Sequence, residues 1–225
     1  MGAVSVGTSG WSYQHWDGEF YPKGLPKSRW FDHYSTWFPT VEINYSFYRL
    51  PSPSTIERWR EQAREQFRYA VKGSRLITHY RRLSNCSDQL STYLERTSGL
   101  GHTLGPILWQ LPPDLERDLE LLDGFLSMLP GGLRHAVEFR HPSWLVDEAF
   151  DLLHKRGAAA VSVSSLRMPR DFTVTADFVY ARLHGLEGAY QHDYSAAELE
   201  PWVQFLSAAA GRGEQAFAYF NNDGK

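Results

Sequence analysis

Eight short strand-like runs recur along this chain, several of them alternating apolar and polar side chains, and most are separated by segments with helical spacing. Side chains two apart in a strand share a face, so each alternating run splits into an apolar and a polar parity. Val4-Ser5-Val6-Gly7-Thr8 is the first, and Thr40-Val41-Glu42-Ile43-Asn44 the second. Residues 67–72 and 106–111 follow, then Ala136-Val137-Glu138-Phe139-Arg140-His141-Pro142-Ser143-Trp144, then residues 159–164, 178–184 and 216–220. Between them, residues 27–38, 55–65, 86–100, 115–129, 147–156 and 195–210 read as helices, several stopped by proline or glycine. Strands alternating with helices imply parallel strands joined by crossovers. Eight such units in 225 residues close most simply into one TIM-type (β/α)8 barrel domain spanning 1–225. An open doubly wound sheet is the competing arrangement. Nothing remains after the eighth run to form its helix, so the expected barrel lacks its last one.

In a barrel the outward parity meets the helices and must be apolar. That criterion turns Val41, Ile43, Tyr69, Val71, Val137, Phe139, Val161, Val163, Val179 and Leu183 outward. The opposite parity points inward: Glu42, Asn44, Lys72, Gln110, Glu138, Arg140, Ser162, Ser164, Arg182 and His184. These polar residues sit mainly in the second halves of their strands, and barrel active sites lie at the strands' C-terminal ends. Ion pairs of Glu42 with Lys72, or of Glu138 with Arg140 or Arg182, would also serve a purely structural end. Each interior charge costs several kcal/mol of hydration unless it is paired and hydrogen-bonded. So many in one place are more readily retained where a polar ligand binds.

Composition narrows the classes. Lys plus Arg total 23 against 26 Asp plus Glu, a formal charge of −3, which argues against a histone-like nucleic-acid binder. Cys86 is the sole cysteine, so an intrachain disulfide and a thiolate metal cage are excluded. No apolar run approaches the ~18 residues of a membrane span, and the N-terminus lacks a charged-then-apolar leader pattern. The expectation is a cytoplasmic protein with no membrane partner.

Several motifs carry a family resemblance. They are Gly7-Thr8-Ser9-Gly10-Trp11-Ser12-Tyr13, Phe20-Tyr21-Pro22, Glu42-Ile43-Asn44 with Phe47-Tyr48, and Lys72 with Ile77-Thr78-His79. Further on come Gln110-Leu111-Pro112-Pro113, Glu138-Phe139-Arg140-His141 with Ser143-Trp144, Arg182-Leu183-His184-Gly185 and Tyr219-Phe220-Asn221-Asn222. Together they resemble domain-of-unknown-function family 72, the YecE-like proteins, over nearly the whole chain. The resemblance implies a TIM-type barrel and no function. Members of the family usually carry an aspartate at the end of strand six, where this chain has Ser164 or Ser165, and usually continue past the asparagine pair into a final helix.

Two classes of function compete. The first is an enzyme acting on a small anionic substrate, phosphate-bearing ones among the candidates. Arg140, Arg182 and Lys72 would neutralise the anion, arginine being suited to bidentate contacts. Glu138 or Glu42 would be the general base and His184 or His141 the acid. Asn221 and Asn222 would orient the substrate, with Asn44, Gln110, Trp11, Tyr13, His79 and Trp144 completing the binding set. A metal-assisted version resembles, at fold level, the endonuclease IV and sugar-isomerase barrels, with Glu42, His79, Glu138 and His184 as ligand candidates. There is no paired-His spacing, and the inward cations would repel a metal, so a divalent metal is not favoured and no ligand is assigned. Glycoside hydrolysis would use Glu42 and Glu138 as its two carboxylates, with Trp11, Trp16, Trp109 and Trp144 as sugar platforms. The flanking arginines suit a charged ligand better. The second class is a nucleic-acid-binding module, with Arg58, Arg60, Arg64, Arg75, Arg81 and Arg82 as an outer basic patch and a salt-dependent affinity.

Overall fold

The alternating runs do become strands, and their apolar parity is what the helices cover. The computed structural model describes residues 2–187 and 192–222. The strands are β1 Val4–Thr8, β2 Thr40–Ile43, β3 Arg68–Lys72, β4 Leu104–Gln110, β5 His135–Glu138, β6 Ala159–Ser164, β7 Phe178–Leu183 and β8 Gln215–Phe220. They lie in the order β1-β8-β7-β6-β5-β4-β3-β2, every pair parallel, as a nearly closed barrel. Around them run α1 Trp30–Trp37, the single turn α2 Tyr45–Tyr48, α3 Pro53–Gln62, α4 Ser87–Ser98, α5 Leu119–Ser127, α6 Asp147–Arg156 and α7 Ala196–Gly211. Among the described residues no helix follows β8, and none is long and apolar enough to cross a membrane.

The lower interior is filled by size complementarity. Ala70, Leu108, Ala136 and Ala159 on β3 to β6 leave room for Phe178, Tyr180, Phe217 and Tyr219 on β7 and β8. One expected parity is reversed. Residues paired across parallel strands point to the same side. Val161 pairs with Tyr180 and Val163 with Arg182, whereas Ser162 pairs with Ala181 and Ser164 with Leu183. On β6, therefore, the valines face inward and the serines outward. The physical reason is that β6 leads into β7 through residues 165–177 with no helix between them. The outer side of β6 consequently does not need an apolar row, and Ser164 Oγ instead accepts a hydrogen bond from the Tyr194 hydroxyl at 2.8 Å.

The two ends of the strand order, β1 and β2, are joined by a side chain. The buried Tyr34 hydroxyl accepts the Thr8 N–H at 2.9 Å and donates to the Thr40 carbonyl at 3.0 Å. Burial pushes its pKa up to about 12, which keeps it a donor. The closeness of this seam depends on Gly7, where a methyl would overlap the Thr40 carbonyl oxygen. Gly7→Ala is expected to pry β1 from β2 and to lower unfolding free energy by roughly 3 kcal/mol, read by urea denaturation. An unchanged midpoint would mean that the seam carries no load.

Candidate functional site at the C-terminal mouth of the barrel

Above the aromatic layer the inward parity turns charged, at the strand ends where the pattern put it. Glu42 on β2, Glu138 on β5 and Arg182 on β7 are essentially solvent-free, at 0%, 0% and 1% exposure. Arg182 bridges the two carboxylates across the barrel. Its Nε and Nη2 donate to Glu42 Oε2 and Oε1 at 2.9 and 2.7 Å, and its Nη1 donates to Glu138 Oε2 at 2.6 Å. Tyr180 and Ser9 complete the Glu42 shell, their hydroxyls donating at 2.7 and 2.8 Å. Glu42 thus pairs across the barrel with Arg182, although Lys72 stands on the adjacent strand. On the cleft side, Glu138 also pairs with the Arg140 guanidinium, and Arg140 Nη2 lies 2.9 Å from His184 Nε2. Gln110 Oε1 accepts from both arginines at 3.3 and 3.4 Å, and Asn221 stands 3.0 Å from His184 Nδ1.

These contacts set the protonation states. Burial alone would raise the Glu42 and Glu138 carboxyls. The guanidinium of Arg182, joined at Glu138 by Arg140, outweighs it and holds both below the usual carboxylate range. For His184, burial and the Arg182 charge bring the imidazole down to about 4, so the ring is neutral near pH 7. Lys72 is lowered to about 8 by burial first and by Arg182 second, with Glu138 and Glu42 opposing.

Lys72 is held from the backbone outward. After β2 the chain makes the turn α2, which brings Ser46 Oγ within 2.7 Å of the Lys72 carbonyl, and the Tyr93 hydroxyl donates to the same carbonyl at 2.9 Å. Phe47 of that turn lies under the amine, with Nζ 4.1 Å from the ring centroid. His79, on the helical turn Leu76–Tyr80 after β3, sets its ring edge-on to Phe47 at 5.0 Å.

The cluster floors a cleft of about 690 Å³. Of the residues expected from sequence, Tyr13, Asn44, Lys72, His79, Gln110, Arg140, Arg182 and Asn221 line it, with Glu42, Glu138 and His184 hydrogen-bonded to its wall or floor. Four others are not brought to it. Trp11 packs edge-on to Phe31 in an adjoining recess that shares Tyr13 and Asn44. His141 bonds through Nδ1 to Ser143 Oγ at 2.8 Å and caps the turn Pro142–Trp144. Trp144 is fully buried, stacked on Phe139 with its Nε1 donating to the Leu115 carbonyl. Asn222 donates to the His192 carbonyl at 2.6 Å. Trp109 is fully buried as well, so neither it nor Trp144 offers a face to a sugar. Among the described residues, no three of His, Cys, Asp and Glu are gathered as a metal cage.

Sequence reasoning missed Phe47, Tyr48, Tyr80 and Arg167 in the cleft wall, and placed Arg75 only in an outer patch. All lie on turns and loops, where no period marks a facing side. Tyr180 had a readable signal, since it shares the parity of Arg182 on β7.

A family model described as "Protein of unknown function DUF72" matches residues 5–225. The UPF0759 protein YecE of Escherichia coli (strain K12) is 33% identical over 168 residues, covering 72% of this chain and 59% of its own length. This chain therefore spans less than two thirds of that relative. UPF0759 protein YunF of Bacillus subtilis is 21% identical, covering 98% of this chain and 89% of its own. The crystal structure of a DUF72 family protein from Thermotoga maritima superimposes with a TM-score of 0.88 at 26% identity, covering 98% of this chain and 92% of that one.

Proposed function

This chain belongs to the DUF72 family, and from that premise and the geometry of the mouth we propose an enzyme that acts by general acid–base chemistry on a small anionic, phosphate-bearing substrate. One observation carries the reading: among the described residues, the cleft wall contains Lys72, Arg75, Arg140, Arg167 and Arg182 and no carboxylate. The two carboxylates beneath are already engaged by Arg182 and Arg140. A partly desolvated surface with surplus positive charge attracts an anion far more strongly than an exposed one does.

Roles follow from reach. Arg140 and Arg75 take the anion, and Gln110, Asn44 and Asn221 orient it. Glu138 fits the base role better than Glu42: the partners of Glu42, namely Arg182, Tyr180 and Ser9, are all buried, whereas one partner of Glu138 is Arg140, which opens on the cleft. At rest Glu138 is a weak base, because Arg140 and Arg182 stabilise its charge. A bound anion that draws Arg140 toward itself strengthens that base as the substrate arrives.

Calorimetric titration with inorganic pyrophosphate tests the binding half of the reading. Saturable binding at low ionic strength is expected in the wild type. Glu138→Gln, which removes a negative charge beneath the cleft, should bind pyrophosphate at least as tightly while losing any phosphate-ester turnover. Absence of saturable binding would sink the reading. A nucleic-acid-binding reading has one observation in its favour. Tyr48 and Tyr80, 64% and 65% exposed, flank Arg75 at 5.5 Å on the rim, as a base-stacking platform would. Affinity for a single-stranded oligonucleotide that falls steeply with salt, without turnover, would favour it.

A further inference from the structure

Lys72 differs from the other cations of the cleft in how it is kept. The residue is 9% exposed, its Nζ rests over the Phe47 ring, and among the described residues no carboxylate lies at ion-pair distance from that amine and no group hydrogen-bonds it. A lysine placed to hold an anion gains most from being fully charged. Here four arginines already supply that charge around the same cleft. What a desolvated amine among cations offers beyond them is a nitrogen lone pair, since arginine stays protonated under all ordinary conditions.

We propose that Lys72 is a nucleophile that condenses with the carbonyl carbon of an anionic aldehyde or ketone and holds it in the cleft as an imine. This deepens the anionic-substrate reading and rests on it, since the arginines would steer and anchor the acidic group. In the step, the amine lone pair forms the C–N bond and the carbonyl oxygen becomes the carbinolamine hydroxyl. That hydroxyl then leaves as water, which carries away both hydrogens of the amine, and a C=N bond remains. Uptake of one proton gives the iminium, and no oxidant or reductant is consumed. Ser46 donates to the carbonyls of Ile43 at the end of β2 and of Lys72 on β3, and Tyr93 to the latter, which keeps the amine at one place in the wall. The lowered basicity of Lys72, about 8, leaves roughly one amine in ten neutral at pH 7, some two orders of magnitude more than an ordinary lysine.

The chain has five lysines, so the site of reaction can be mapped without ambiguity. The wild-type protein is incubated at pH 7 with pyridoxal 5′-phosphate, used as a small anionic aldehyde, then reduced with borohydride and mapped by peptide mass spectrometry. One adduct is expected, on Lys72, with labelling suppressed by inorganic pyrophosphate. Lys72→Arg, which keeps the charge but cannot form an imine, should lose that adduct. Labelling spread over Lys23, Lys27 and Lys155 with none at Lys72 overturns the inference. So does pyrophosphate binding without any adduct, which leaves the anion reading standing. A protein that binds neither probe loses both readings.

Discussion

Replacing Arg182 with Met is expected to lower the free energy of unfolding by about 3–5 kcal/mol at pH 7, because it strips the shared partner from buried carboxylates. For a chain of this size that is a fall in Tm of roughly 10 °C. Glu42 and Glu138 are both at 0% exposure, and among the described residues Arg182 supplies the one guanidinium that contacts both. Glu138 would keep Arg140, but Glu42 would be left with the neutral donors of Tyr180 and Ser9. A loss below about 1 kcal/mol, the range of ordinary surface substitutions, would mean that the bridge does not hold the barrel mouth together.

The pH dependence of that loss identifies its cause. In the wild type both carboxyls sit below their ordinary value, since the guanidinium charges outweigh burial. A depressed folded pKa contributes stability that is fully present above the unfolded value, about 4.3, and is lost as pH falls through the lower folded value. In the variant the balance at Glu42 reverses. Burial then dominates and raises its folded pKa above the unfolded one, so the penalty grows as pH rises through that window. The variant should therefore be more stable at pH 5 than at pH 7, and its deficit against the wild type should shrink toward acid. Equal deficits at both values in urea denaturation would place the damage in lost packing rather than in stranded charge.

How much of this site could be read from the chain depends on which residues obey a period. Alternation puts Glu138 and Arg182 on the inward parity, and the expectation that barrel chemistry lies at strand C-termini gathers them with Glu42 and Lys72. The partner of Glu42 was beyond that reading. Register pairs neighbouring strands, whereas Arg182 reaches β2 across the barrel interior from β7. β6 misled because the rule that the apolar side faces helices presumes a helix, and residues 165–177 supply none. His141 and Trp144 lie beyond the last residue of β5, Glu138, where side chains no longer alternate. Trp144 there turns back onto Phe139, so a residue that resembles a ligand platform in sequence is core. Phe47, although part of a motif of the family resemblance, and Arg167 had no periodic signal of facing, as turns set it by local dihedrals rather than by spacing.

Arg140→Met should weaken pyrophosphate binding by roughly ten- to a hundredfold, the loss of a charge-assisted contact worth about 1.5–3 kcal/mol, and should leave the barrel folded. The contrast with Arg182 comes from exposure: the Arg140 side chain is 20% exposed and opens on the cleft, while that of Arg182 is at 1%. Removing Arg140 takes one donor from Glu138 and leaves it the Arg182 contact of 2.6 Å, so no buried charge is orphaned. The variant should also show a shallower salt dependence, because one fewer cation faces the anion. An Arg140→Lys control restores the charge without the planar fork and should recover only part of the affinity. Calorimetry on the three proteins at two ionic strengths separates the outcomes. Undiminished affinity in Arg140→Met would show that the arginine serves Glu138 alone, and the anion would then have to be sought at Arg75 and Arg167 on the outer wall.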